Sequence, residues 1–564
     1  MKFKPEPEYI FIFIVFTALL FFGLGNLWGH TLMHETPTGY SASDAFQHQT
    51  RAEAIKVVGN YVTEPPWIAA GLTDVIGVYP PGLYYLSISL SFIGGLEVFD
   101  TIYIIAYVFS ILGAILFYYV IRKFNKSVAL ISLPFGILIF TGISMVGFTW
   151  GAIPSLMAQV FLILTIWVIA NIEIDFSWIV LGIALSATVI THSSELIVAA
   201  GFVALYFILN LLIHFIKKEN KTIQLKKIFF GIGAFIFLSW YFILLSQLTW
   251  AKLYPLNPFD IWLTHGGYPG IVNLTDYGII LLFMAIGLLA GIYLFWKNIT
   301  NPPVALLAGF FMLIIGYGNF YGLNYRAFQI RYFWPIYLSV FLGLGIYFVL
   351  QTVAKKSAYQ AAFIIGIILL VAFSGVVSIP SVPHYESTGS GAVDKPHWDV
   401  FNWLKQNTPK DAIVYFFYGD LYKSNAVLRN IERVHYQILS HSNPQTTADF
   451  ITKLQQGVIT RTYDSALLGD CCGADYPYWK GFGKIGFHFL EMNRSSFYKP
   501  TDICIMDYYV FDKGASQPAF AQYNLVIANE MLKSGHFEVV YENPVSVILK
   551  NNKPGENCIG NSTA

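Results

Sequence analysis

The chain has 564 residues, of which 55% are hydrophobic and 17% aromatic but only 12% charged. The charged share is about half the roughly 25% of soluble domains, which excludes a water-soluble protein over most of the length. Thirty-four Lys and Arg against 33 Asp and Glu leave a net charge of +1, so nothing here points to a nucleic-acid partner.

From Tyr9 to about Pro380 the apolar residues fall into runs of roughly 16–24 residues, the length that crosses a ~30 Å hydrocarbon core. The spacing predicts spans near 9–28, 98–121, 127–146, 152–171, 176–192, 195–216, 227–247, 277–296, 302–320, 330–353 and 360–380. The first is longer than a signal-peptide core and has no small-x-small cleavage site, so it is read as retained. The run Tyr79 to Gly95 is ambiguous, and the basic clusters arbitrate. These are Arg122-Lys123 with Lys126, Lys217-Lys218 with Lys221 and Lys226-Lys227, Lys297, and Lys355-Lys356. With a cytoplasmic N-terminus and 79–95 lying in the interface, all four clusters fall inside; if 79–95 crosses, all four fall outside.

Eleven spans follow, with residues 1–380 as a membrane domain whose first outer loop, 29–97, carries interfacial helices. Residues 381–564 form a soluble domain outside the cell membrane. In that domain Trp398 to Gln406 reads as a helix, Ala412 to Phe417 as a buried strand, and Asp502 to Val510 and Val545 to Leu549 as strands. Ala519 to Lys533 reads as a helix between the last two, giving a small α/β domain. Cys471, Cys472, Cys504 and Cys558 all lie there, an even set that implies disulfides on the oxidising side with connectivity open. Sequons at Asn273, Asn493 and Asn561 fall on the same side.

Ionisable residues at membrane ends are the functional candidates, because burying them in lipid is costly. Asp44, His48 and Arg51 follow the first span at helical spacing and share one face. Ser41-x-x-Asp44 also has the form of a capping box, a purely local reading of the acid. Thr191-His192-Ser193-Ser194-Glu195 separates two spans with almost no turn, and either caps the next helix or turns His192 and Glu195 toward a cavity. His265 lies in the long outer loop, with Asp260. Arg326 and Arg331 enter the tenth span from the outside, against the positive-inside trend, and have the geometry to clamp a phosphate or to snorkel.

Asp44-x-x-x-His48 just after the first span, followed by Val78-Tyr79-Pro80-Pro81-Gly82-Leu83-Tyr84-Tyr85, resembles the GT-C glycosyltransferases, membrane enzymes that use lipid-phosphate-linked sugars. The resemblance covers the architecture from about residue 9 to 380. It implies a polytopic α-helical membrane protein with a C-terminal extracytoplasmic α/β domain. It further implies a polyprenyl- or dolichyl-phosphate-linked sugar as donor, a glycan, lipid or protein as acceptor, and transfer on the outer face with inversion. Asp44 would be the general base, and His48, Arg51, Tyr79, His192, Glu195, His265, Arg326 and Arg331 would bind substrate. Family members that bind a divalent cation add an acid from a second outer loop. Gly147-Phe148-Thr149-Trp150-Gly151 has none, so the metal ligands stay unassigned. No tryptophan-rich acceptor motif of the oligosaccharyltransferase type is present, since Tyr476-Pro477-Tyr478-Trp479 is not one.

The expectation is therefore an integral plasma-membrane glycosyltransferase with its N-terminus cytoplasmic and its C-terminal domain extracellular. The rival classes are a transporter or flippase, which would show an internal repeat and mid-span charges, and a non-catalytic anchor for the C-terminal domain.

Overall fold

A computed structural model of the chain describes residues 6–28, 31–40, 43–61, 63–69, 71–73, 75–76, 79–140, 142–149, 151–253, 279–317, 330–353, 393–423, 425–438, 452, 456, 459–467, 476–483, 486–492, 498–515 and 518–559. The chain divides into two compact units. The first comprises residues 1–32, 80–87 and 101–383; the second comprises 33–79, 88–100 and 384–564. The loop 33–79 thus clusters with the C-terminal residues rather than with the membrane helices.

The helices begin with α1 (Pro7–Trp28) and α2 (Ser43–Val58). Two short strands follow, β1 (Thr63–Glu64) and β2 (Val75–Ile76), then α3 (Gly82–Gly94) and α4 (Val98–Phe124). The first unit continues through α5 (Lys126–Ser132), α6 (Gly142–Thr149), α7 (Ile153–Ala170), α8 (Ser177–Thr191), α9 (Ser193–Ile216) and α10 (Thr222–Leu253). It ends with α11 (Ile279–Lys297), α12 (Val304–Gly316), α13 (Ile330–Tyr337) and α14 (Ser339–Val353).

Among the described residues seven helices are long and apolar enough to cross a membrane, and four shorter apolar helices accompany them. The chain is an integral membrane protein. Ten of the eleven expected spans coincide with helical segments, and the eleventh, 360–380, lies outside the described residues. Helix α3 has 13 residues, a length of about 20 Å that is too short to span the ~30 Å core.

Two expected spans are not continuous. Residues 127–146 form α5, a 3-10 segment Leu133–Phe140 and α6. Residues 330–353 form α13 and α14, with Pro335 inside the former. Pro134 stands at the second residue of the 3-10 segment, where its missing N–H and its ring are tolerated less well by a continued α-helix.

Helix α8 packs against α7 and α10, and α11 against α14. The second pairing is backbone on backbone. A Cβ added at Gly287 would lie 1.7 Å from the Phe341 carbonyl oxygen, and one at Gly345 would lie 1.9 Å from that of Phe283. Small residues allow this approach in a bilayer, where helices gain little from further apolar burial.

In the second unit, α15 (Lys395–Asn407) is capped by Asp394, whose carboxylate accepts from the His397 N–H at 2.9 Å. Then come β3 (Ile413–Phe416), a short α16 (Asn425–Leu428), β4 (Val434–Ile438), β5 (Thr462–Leu467), β6 (Tyr476–Gly483), β7 (Gly486–Met492), β8 (Tyr498–Asp502) and β9 (Tyr508–Asp512). The unit closes with α17 (Pro518–Lys533), β10 (Phe537–Glu542) and β11 (Ser546–Asn551). Among the described residues seven strands form one sheet in the order β10-β11-β9-β3-β4-β5-β8, with β3 parallel to both its neighbours. The strands β1-β2-β6-β7 form a second, antiparallel sheet in which Val75 of the first loop pairs with Lys480.

The single strand expected over 502–510 is instead two, β8 and β9, separated by a 3-10 turn Ile503–Ile505. Asp502 starts that turn by accepting from the Cys504 N–H at 2.9 Å. The core behind the larger sheet is aromatic: Phe417 stacks on Phe511 at 4.5 Å and Tyr418 on Phe520 at 4.8 Å. Cys504 and Cys558 are joined in a disulfide across 54 residues. Cys471, Cys472 and the three sequon asparagines lie outside the described residues.

Candidate functional site

Two groups of the expected site residues are described, one in each unit. In the second unit, α2 begins at Ser43 and places Asp44, an exposed acid, in its first turn, where a carboxylate favours the helix dipole. The capping-box reading depends on Ser41, which lies outside the described residues. One and two turns further along, His48 and Arg51 meet Tyr79. The His48 and Tyr79 rings are 5.0 Å apart, and the Arg51 guanidinium carbon stands 5.9 Å from the Tyr79 ring centroid. Arg51 is also paired through Nη1 with the Glu64 carboxylate of β1. His48 is 7% exposed, so it packs against the Tyr79 ring instead of reaching solvent. The helical spacing read from the sequence therefore puts these two side chains on one face, with Tyr79 beneath them.

In the membrane unit, His192 joins α8 to α9 in an extended conformation, its N–H donating to the Thr188 carbonyl at 2.8 Å. Its Nδ1 lies against Glu195 Oε2 and 2.7 Å from Ser194 Oγ. Glu195 is fully buried. Its Oε1 accepts from Ser155 Oγ and, at 3.2 Å, from Gln159 Nε2. Tyr337 in turn donates to Gln159 Oε1 at 2.5 Å. A carboxylate removed from water needs such donors, and here they hold one face of the His192 ring in register. The buried Glu195 carboxylate thus has its contacts in Ser155, Gln159 and His192.

Ser155, Gln159 and Tyr337 were not singled out from the sequence. Ser155 and Gln159 are four residues apart inside an apolar run, which is the signal that could have found them. Tyr337, 178 residues from Gln159 in sequence, carried none.

Asp260, His265 and Arg326 lie outside the described residues. Arg331 is the second residue of α13, and only its backbone is described. Among the described residues no group of three or more His, Cys, Asp or Glu side chains is arranged to hold a metal ion.

No protein-family profile matches the chain. Over 183 residues it is 25% identical to the dolichyl-phosphooligosaccharide-protein glycotransferase 3 of Archaeoglobus fulgidus, a match covering 31% of this chain and 20% of that protein. The match thus spans about a fifth of that relative's length. Among solved structures, the apo oligosaccharyltransferase of Archaeoglobus fulgidus superimposes with a TM-score of 0.51 at 12% identity. The superposition covers 94% of this chain and 80% of that one. The same enzyme tethered to an acceptor peptide containing the NVT sequon gives 0.51 at 13% identity, covering 96% and 88%. The chain shares the fold of that solved oligosaccharyltransferase, with apolar membrane helices followed by a C-terminal α/β domain.

Proposed function

We propose that the protein is a membrane glycosyltransferase that moves a sugar from a polyprenyl- or dolichyl-phosphate carrier to an acceptor nucleophile. The observation that carries this reading is Asp44, an exposed carboxylate in the first turn of the helix that follows the first apolar span. Behind it on the same helix, His48 and Arg51 are gathered at Tyr79. The fold likeness over nearly the whole chain supports the reading. The curated relative's name specifies a dolichyl-phosphooligosaccharide donor and a protein acceptor for that protein, and a donor of the same carrier class is proposed here.

In the proposed reaction Asp44 removes the proton from the acceptor as its lone pair attacks the anomeric carbon. The bond from that carbon to the phosphate oxygen breaks on the opposite face, so configuration inverts and the electron pair leaves with the lipid phosphate. Arg326, Arg331, His265 and His192 are the groups assigned to offset that charge, with Glu195 fixing the His192 ring. Arg51, already paired with Glu64, fixes Tyr79 as one wall of the substrate site with His48. The N-terminus is assigned to the cytoplasm and the C-terminal domain to the outer face. The length of α3, too short to cross the hydrocarbon core, supports that parity.

The test is transfer from a panel of lipid-phosphate sugars by detergent-solubilised protein. Asp44→Asn is expected to lower turnover by at least about 10²-fold while leaving donor binding within a factor of two or three. Wild-type turnover in a folded Asp44→Asn protein would remove Asp44 from the role of base.

A further inference from the structure

The second unit holds a cavity of about 400 Å³, within the ~300–1,000 Å³ range of small-molecule sites. Helix α2 supplies Gln49 and Glu53, α15 supplies Trp398 and Lys405, and the turn after α16 supplies Arg429 and Glu432. Trp67 and Phe99 complete two aromatic walls. The cavity lies on residues of α2 other than Asp44, His48 and Arg51, and it shares no lining residue with the site proposed above.

Its polar groups are incompletely matched. Arg429 is 2% exposed, yet its Nε and Nη1 have no hydrogen-bond partner, and its one bond is from Nη2 to the Ile68 carbonyl at 3.3 Å. Glu35 and Glu97 also line the cavity, at exposed positions, and the two other acids are engaged. Glu432 lies 2.6 Å from Lys405, and burial pushes the Glu53 carboxyl up from its ordinary value against the opposing pull of Lys405 and Lys56. A buried cation without a counter-charge costs several kcal/mol. Gln49, also 2% exposed, has an Oε1 that accepts from no donor. Arg429 therefore lacks an acceptor for two of its N–H groups and Gln49 lacks a hydroxyl or N–H donor, while Trp67 and Trp398 line the cavity with rings of the kind that cover the apolar side of a sugar.

We infer that this cavity is a binding site for a carboxylate-bearing sugar, with the carboxylate on Arg429, a hydroxyl donating to Gln49, and the ring between Trp67 and Trp398. Such a residue can arrive in the glycan of the donor or in that of the acceptor; the shared chemistry is the hexuronic acid unit.

The experiment is calorimetric titration of the intact detergent-solubilised protein with glucuronic acid, glucose and inorganic phosphate. Glucuronate is expected to bind at least tenfold more tightly than either of the others. Arg429→Lys is expected to lose at least tenfold in glucuronate affinity, because a point charge cannot replace the planar fork. If that variant unfolds, Gln49→Leu, which removes the unmet acceptor at similar volume, is expected to weaken glucuronate and glucose alike. Glucuronate and glucose binding equally, phosphate matching glucuronate, or no heat from any of the three would overturn the inference, the last meaning that water alone fills the cavity. To locate the source, uronate-bearing lipid-linked donors and uronate-bearing free glycans are compared as competitors. Binding is read without turnover, so the assignment of Asp44 can fail while this site stands, and the reverse.

Discussion

At the scale of single residues, two histidines of the C-terminal domain set opposite pH dependences. His397 lies with Nδ1 2.6 Å from Asp394 and Nε2 3.5 Å from Asp512. Burial opposes its charge, but the two carboxylates outweigh burial and push its pKa up to about 9. Stability from this contact is complete below the ordinary value of 6.5 and is lost as pH rises through 9, a fall of at most about 3 kcal/mol. His435 is fully buried, and desolvation pushes it down to about 3. Its unfolded form binds the proton first, so stability is lost as pH falls from 6.5 toward 3. Hydrogen exchange across β3, β4 and α15 at stepped pH should therefore show greatest protection near pH 6.5, declining on both sides. His397→Gln should flatten the alkaline limb alone. Neither environment was legible in the sequence, because Asp512 is 115 positions from His397 and the burial of His435 comes from tertiary packing. The Asp44, His48 and Arg51 spacing was legible, because a single helix encodes it locally.

At the scale of elements, the membrane helices were legible wherever apolar run length alone decides, and illegible where the backbone breaks inside a run. Pro134 and Pro335 mark both interruptions and are visible in the sequence, but hydropathy averages over them. The α11/α14 pairing was illegible too, since glycines in an apolar run do not announce which helix they face. It yields a sharp expectation. Gly345→Val should lower the thermal midpoint in detergent and cost more than about 3 kcal/mol, because the new side chain meets the Phe283 carbonyl rather than a yielding side-chain tip. Gly233→Ala in α10, where nothing lies within 4 Å, should instead be neutral or stabilising by up to about 1 kcal/mol. Equal midpoints for the two variants would refute the close packing.

At the scale of the whole molecule, the class of fold follows from composition, but the membership of the second unit does not. The loop after α1 reads as part of a membrane domain by position, yet residues 33–79 cluster with residues 384–564. The Cys504–Cys558 bond closes a loop of 54 residues in that unit. The chain-entropy relation then assigns it roughly 4 kcal/mol, so Cys558→Ser should lower the denaturant midpoint of the C-terminal domain while leaving membrane insertion intact. The same discontinuity has a consequence during synthesis. Helix α2 emerges early, but the residues that pack against it include α16, made about 370 residues later. At ~5–20 residues per second the ribosome takes roughly 20–75 s over that interval. Through it the first loop waits outside its final fold, its apolar positions uncovered until the far end of the chain is made.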